Sequence, residues 1–306
     1  MRDFSISEAA LVGFRLTREQ PRAIAVWAAL NLIFSLVTVL VLVGVGGPAL
    51  KALQATTEET AAQDPTATLA LINQLLPAYG LMMAVWLVFG AVMAAAATRA
   101  VLRPQESALG YVRLGAEEVR VLLVMAAVGL MLLFAYLGAS LVMGLLLGVL
   151  VGATGGGGAA AVTSMALAMV PVVLLALLWL WTRFSLAVPL TLAQGRVDIL
   201  GSWALTRGRS GKVFLTYLVA FALYMLVAVL GVAIFLGIGA AISGSSGPME
   251  AVMAADMSSV GAYFNPLTIT YTVVMSAIGA LGLAIVLCPP AVIYGALAGD
   301  EVQEVF

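Results

Sequence analysis

Apolar residues fill this chain in six long blocks, at about 23–47, 76–100, 120–154, 160–182, 213–242 and 267–296. Each is longer than the roughly 20 residues a helix needs to cross the hydrocarbon of a bilayer. None shows the strict alternation of a barrel strand, so the pattern predicts transmembrane helices. Gly44-Val45-Gly46-Gly47-Pro48 reads as the end of the first span. Polar loops are expected at about 49–75, with Glu58, Glu59 and Asp64 against Lys51, and at 243–266. Gly155 to Gly158 reads as a tight turn between spans three and four. Spans three to six exceed what a bilayer requires, which implies tilt, kinks or interfacial extensions.

Before each pair of blocks lies a short amphipathic stretch, at 4–22, 105–118 and 198–209. In the first, Ser5 and Glu8 have the spacing of a capping box. Ile6, Ala10 and Phe14 share one helical face, and Glu8, Arg15, Glu19 and Arg22 another, as in a helix lying on a membrane surface. Arg15, Leu16, Glu19 and Arg22 recur in register as Arg113, Leu114, Glu117 and Arg120. Leu16-Thr17-Arg18 recurs as Leu205-Thr206-Arg207, with Asp198 placed to cap the third stretch. The expected fold is therefore an all-α integral membrane protein. Its six transmembrane helices form three repeated units, each a cytoplasmic amphipathic helix plus a transmembrane hairpin. The units run over 4–100, 101–183 and 184–298 of a single membrane domain, 1–306, with an acidic tail at 299–306.

Composition agrees: 63% of the 306 residues are hydrophobic and 9% charged, against about 25% charged in a soluble domain. There is no histidine and one cysteine, Cys288. That removes the commonest general base, a disulfide framework and any Cys/His metal set. The N-terminal stretch is charged and amphipathic, unlike a signal peptide. Thirteen of the fourteen basic residues fall on one side of the expected topology, and only Lys51 on the other. The positive-inside rule then puts both termini and all three amphipathic helices in the cytoplasm.

The basic stretches are the candidate site. Arg15, Arg18, Arg22, Arg113, Arg120, Arg183, Arg207, Arg209 and Lys212 would sit at headgroup depth, where they attract anionic lipid or grip phosphate. Topology and helix anchoring alone also account for them. Glu19 with Arg22, and Glu117 with Arg120, are spaced to pair within a helix. Arg99 and Arg183, each in a Thr-Arg pair, are expected to snorkel from span ends. Asn31, Ser35 and Thr38 in span one, with Thr268, Thr270, Tyr271, Thr272 and Ser276 in span six, suit interhelical hydrogen bonds, with a solute path as the alternative. Gly144, Gly148 and Gly152 suit a close helix contact inside the bundle. Pro171, Pro189, Pro289 and Pro290 read as kinks or breaks. Trp27, Trp179, Trp181 and Trp203 suit an interfacial belt, and Trp86 a packed position. Cys288 reads as a buried hydrophobe. No catalytic residue, metal, cofactor or nucleic-acid site is indicated.

Thr182-Arg183-Phe184-Ser185-Leu186-Ala187-Val188-Pro189-Leu190, followed by Gly201-Ser202-Trp203-Ala204-Leu205-Thr206-Arg207-Gly208-Arg209, resembles a set of bacterial membrane proteins. These are the membrane domains found beside glycerophosphoryl diester phosphodiesterases and their stand-alone YciC-like relatives. Gln194 stands where that pattern has an acid. The resemblance implies a polytopic inner-membrane domain without the phosphodiesterase catalytic part. The expectation is a non-enzymatic protein of the bacterial cytoplasmic membrane that contacts anionic phospholipid at its inner face, for maintenance or as a scaffold. A small-solute or lipid transporter or channel subunit is the alternative. Homo-oligomerisation or a further membrane partner stays open.

Overall fold

The computed structural model describes residues 4–56, 65–153, 159–244 and 247–298. It is helical, with no strand among the described residues. In chain order the helices are α1 (Ile6–Glu19), α2 (Pro21–Gln54), α3 (Pro65–Leu102), α4 (Ala116–Ala153), α5 (Ala159–Phe184), α6 (Ala187–Gln194), α7 (Leu200–Leu205), α8 (Ser210–Ser243), α9 (Pro248–Met253), α10 (Val260–Tyr263), α11 (Pro266–Leu287) and α12 (Pro289–Ala298). A 3-10 turn, Ala108–Tyr111, separates α3 from α4. Six segments, built on α2, α3, α4, α5, α8 and α11, are long and apolar enough to cross a membrane. The chain is thus a multi-pass membrane protein.

The spanning helices pack in the order α8, α11, α2, α3, α4, α5. The start of α2, α4 and α8 and the end of α3, α5 and α11 meet at one end, which also carries the arginine-bearing segments; we term it the basic end. Most of the buried core lies there. Val12, Leu16, Trp27, Met93, Ala97, Tyr111, Ala284 and Cys288 form one cluster, and Phe4, Ala9, Leu186, Val213, Tyr217, Ile293 and Leu297 another. The run Met93-Ala94-Ala95-Ala96-Ala97 is buried, because small side chains let several helices approach α3 at once. The α12 segment touches α1, α3, α6, α8 and α11, and so fills the middle of this end.

Several expectations are corrected. The helix α1 is capped by Ser5, whose hydroxyl accepts from the Glu8 N–H at 3.4 Å, but it does not simply rest on a surface. Ala9, Ala10, Val12, Gly13 and Leu16 are buried against the bundle. A Cβ on Gly13 would lie 2.6 Å from the backbone of Ala284 and Ile285, so glycine permits the α1–α11 crossing. The expected face of Ile6, Ala10 and Phe14 is rotated: Phe14 is exposed and Ala10 buried.

The second amphipathic helix, expected at 105–118, is absent. Leu109, Gly110 and Tyr111 have φ of 48°, 65° and 66°, which no right-handed helix tolerates. Glu117 and Arg120 belong instead to the first turns of α4. The third is reduced to the six residues of α7, whose N-cap position is held by Ile199 and not by Asp198; one residue earlier, Asp198 still accepts from the Gly201 N–H at 2.8 Å. The loop expected at 49–75 is largely helix, because α2 runs through Pro48 to Gln54 and α3 starts at Pro65. Before Pro48, Gly46 and Gly47 serve close packing: a Cβ on Gly47 would sit 2.7 Å from the Met257 carbonyl. Pro289 does break span six, starting α12, and span four likewise continues as the short α6. Pro171 lies within α5. The Gly155–Gly158 turn and the 299–306 tail lie outside the described residues.

The polar rows of spans one and six meet at Asn31, Ser35 and Ser276, while Thr38, Thr270 and Thr272 bond carbonyls of their own helices. Asn31 donates to the Ser276 carbonyl at 3.0 Å, and the Ser35 and Ser276 hydroxyls lie 3.2 Å apart. By contrast, Gly144, Gly148 and Gly152 face open space rather than a bundle neighbour. Beyond Val124 in α4, and before Thr182 in α5, no residue whose side chain is described is buried. The α4–α5 hairpin therefore parts from the bundle away from the basic end. Trp27 is fully buried instead of belted, and Trp86 is 55% exposed instead of packed.

Candidate functional site

Two polar knots organise the basic end. The first grows from the α3–α4 connection. Arg99, on the last turns of α3, is fully buried. Its Nη2 donates to Glu118 Oε1, its Nε to Glu117 Oε2 at 3.1 Å, and its Nη1 to the Tyr111 carbonyl at 2.8 Å. One turn on, Arg103 donates to Glu117 Oε1 at 2.9 Å and to the Leu192 carbonyl of α6 at 3.1 Å. Two cations thus face two carboxylates, which is what lets such charges stay buried. The strained turn is clamped by the same group. Trp27 Nε1 donates to the Gly110 carbonyl at 2.7 Å, and the Tyr111 hydroxyl to the Pro104 carbonyl at 3.2 Å. Left-handed backbone costs on the order of 1–3 kcal/mol per residue and persists only when its surroundings impose it. This replaces two expectations: Arg99 does not snorkel, and Glu117 pairs across the turn instead of with Arg120.

The second knot grows from the end of α5. Thr182 returns its hydroxyl to the Leu178 carbonyl at 2.5 Å. The chain then leaves the helix, and Ser202 from α7 satisfies the orphaned backbone. Its Oγ donates to the Arg183 carbonyl at 2.7 Å and accepts from the Leu186 N–H at 3.2 Å. Thr206 in turn donates to the Ser202 carbonyl at 2.9 Å. This docking lays Trp203 over the Arg183 side chain. The guanidinium carbon lies 4.9 Å from the Trp203 ring centroid and 5.2 Å from that of Trp179. The two indoles meet edge to face at 5.5 Å. Nε and Nη1 of Arg183 are buried with no hydrogen-bond acceptor.

The remaining predicted residues are spread over separate segments. Arg15 and Arg18 are exposed on α1, and Arg22 is exposed at the start of α2. Arg113 is exposed and pairs with Glu106 at 2.9 Å. Arg120 is half-buried beside the Gly195 turn. Arg207 is exposed, Arg209 precedes α8 and Lys212 lies in its first turn. Gln194 is exposed and accepts from Arg196 at 3.1 Å.

Exposed apolar side chains accompany these cations. Leu11 and Phe14 flank Arg15 and Arg18 on the outer face of α1. Leu114, 85% exposed, follows Arg113. Val197 follows Arg196, and Leu200, 74% exposed, opens α7. Within the spans, two shallow grooves flank α2. One, of about 440 Å³, is lined by Leu30, Phe34, Val37, Val85, Phe89 and Met93 among others; the other, of about 330 Å³, is lined by Leu36, Phe264 and Thr272 among others.

The residues of the first knot were missed from sequence. A signal was present: Arg99 and Arg103, four apart at the close of one span, face adjacent Glu117 and Glu118 at the opening of the next. No protein-family model, curated protein or solved structure matches this chain.

Proposed function

We propose that this protein sits in the bacterial cytoplasmic membrane and binds anionic phospholipid at its inner-leaflet face, as a maintenance or scaffold component of the envelope and without catalysis. The observation that carries the reading is the repeated pairing of an exposed apolar side chain with an arginine in each of three segments at the basic end. Such pairs put hydrocarbon at the acyl boundary and a guanidinium at the phosphates. The excess of arginine at this end supports a cytoplasmic orientation and cytoplasmic termini. The three-unit plan is retained as three hairpins. Its support is the shared break after spans four and six and the two Thr-Arg pairs, and not three equal surface helices. The likeness of the 182–209 segment to YciC-like membrane domains supports the bacterial setting.

Each exposed arginine contributes about 1 kcal/mol of attraction to an anionic leaflet. Arg113 contributes less, since Glu106 shares its charge. Native mass spectrometry of the full chain in neutral detergent checks the proposal. Combined Arg15→Gln, Arg113→Gln and Arg207→Gln should lower phosphatidylglycerol retention several-fold; unchanged retention would discard it. The transporter reading lacks comparable support. Asn31, Ser35 and Ser276 bond one another across α2 and α11, Thr38, Thr270 and Thr272 return their hydroxyls to their own helices, and the grooves beside them are lined almost wholly by apolar side chains.

A further inference from the structure

We infer that Arg183, seated against Trp179 and Trp203, is the phosphate-binding residue of a discrete phospholipid site. It deepens the lipid reading above and rests on it. The argument starts from charge. Between Glu118 and Glu250 the chain has six basic residues and a single acid, Asp198. Asp198 is already engaged, accepting from the Gly201 N–H at 2.8 Å and lying 3.8 Å from Arg196. Arg183 has no carboxylate within ion-pair reach among the described residues. Its own carbonyl is taken by Ser202, and no side chain or carbonyl accepts from its Nε or Nη1.

Contact with the two indoles offsets part of the cost of holding that charge out of water. They cannot supply hydrogen-bond acceptors. The two rings stand at 89° to each other, so the planar guanidinium lies flat on at most one of them. With Nε and Nη1 covered, Nη2 is the donor left for a phosphate oxygen. Contact with both rings holds the guanidinium in place, so little side-chain freedom is lost on binding.

The source of the phosphate follows from the walls. Trp179 lies on a spanning helix and is 48% exposed, in a part of α5 where no described side chain is buried. The site therefore opens toward the bilayer. Its ligand is a lipid phosphate, with the indoles at the level where headgroup meets acyl chain. The exposed collar acts differently: it attracts a leaflet through charges that salt screens. A site built on a stacked arginine should hold one lipid after that screening.

The test is native mass spectrometry of the full-length protein in neutral detergent at an ionic strength that screens exposed charges. Phosphatidylglycerol, glycerol phosphate and inorganic phosphate are supplied in separate arms. One phosphatidylglycerol adduct is expected on the wild type and on a variant with Arg15, Arg18, Arg113 and Arg207 all changed to Gln. Arg183→Gln should weaken it by about tenfold. Arg183→Lys should fall between, since it keeps charge but loses the planar group that packs on the rings. An undiminished adduct on Arg183→Gln overturns the inference while leaving the collar reading in place. So does loss of the adduct on the collar variant alone. Equal occupancy by either soluble phosphate overturns the lipid assignment. Absence of any anionic-lipid adduct on the wild type, with or without salt, sinks both proposals. Should Arg183→Gln fail to fold, Trp203→Phe decides: a several-fold loss is expected, and no change overturns the site.

Discussion

Arg99 is a fully buried cation, and each of its three guanidinium nitrogens donates a hydrogen bond. Removing one member of a buried ion pair leaves its partner stranded, at a cost of about 3–5 kcal/mol. Arg99→Met should therefore lower the unfolding free energy in micelles by that order, read by chemical denaturation. Glu118→Gln keeps an acceptor oxygen and should cost less. Arg18→Gln, on the exposed face of α1, should change stability by under about 0.5 kcal/mol. The knot also shows what was legible. Positions of charges near span ends are visible in sequence, and so is their repetition. The partner of each is not, because the three left-handed residues at 109–111 redirect the chain in a way that no periodicity announces. A repeat of Arg, Leu, Glu and Arg looked like a repeated helix, yet its second copy spans a turn and the start of a spanning helix.

At the scale of the element, glycines separate helix faces that must touch from those that do not. Gly13 admits the backbone of α11, and Gly13→Val should displace α1, exposing the N-terminal segment to limited proteolysis. Gly148→Leu lengthens a face that meets nothing and should leave thermal stability in detergent within about 0.5 kcal/mol. A large loss there would mean that α4 has a neighbour. At the end opposite the basic one, Lys51 on α2 lies 3.5 Å from Asp256 in the α9–α10 loop. Hydrogen bonds from Ser258, reinforced by Lys51, hold the Asp256 carboxyl below its usual range. A depressed carboxyl contributes above its unfolded value and is lost as pH falls through the folded one. The tie should thus hold at neutral pH and loosen only in acid, below the ordinary aspartate range; in hydrogen exchange of residues 254–259, Lys51→Gln should shrink that step without abolishing it, because the Ser258 bonds remain. Span number is readable here. Helix ends are not, since Pro48 reads as a stop while local packing carries α2 past it.

For the whole molecule, apolar runs and the one-sided arginines disclosed a six-span bundle with a basic end. They did not disclose that the bundle is dense at that end and divided elsewhere, because lipid-facing and protein-facing leucines look alike in sequence. The buried seat of α1 illustrates the point: its face of Ala9, Ala10, Val12, Gly13 and Leu16 is filled by α8, α11 and α12. Those helices leave the ribosome more than two hundred residues after α1 does. The helix α1 is therefore seated only after they emerge. Until then the nascent chain shows an unmatched apolar ridge at the membrane border, open to chaperones and proteases. A chain stopped before α11 would keep it so, which makes synthesis of α11 and α12 the checkpoint for survival of α1.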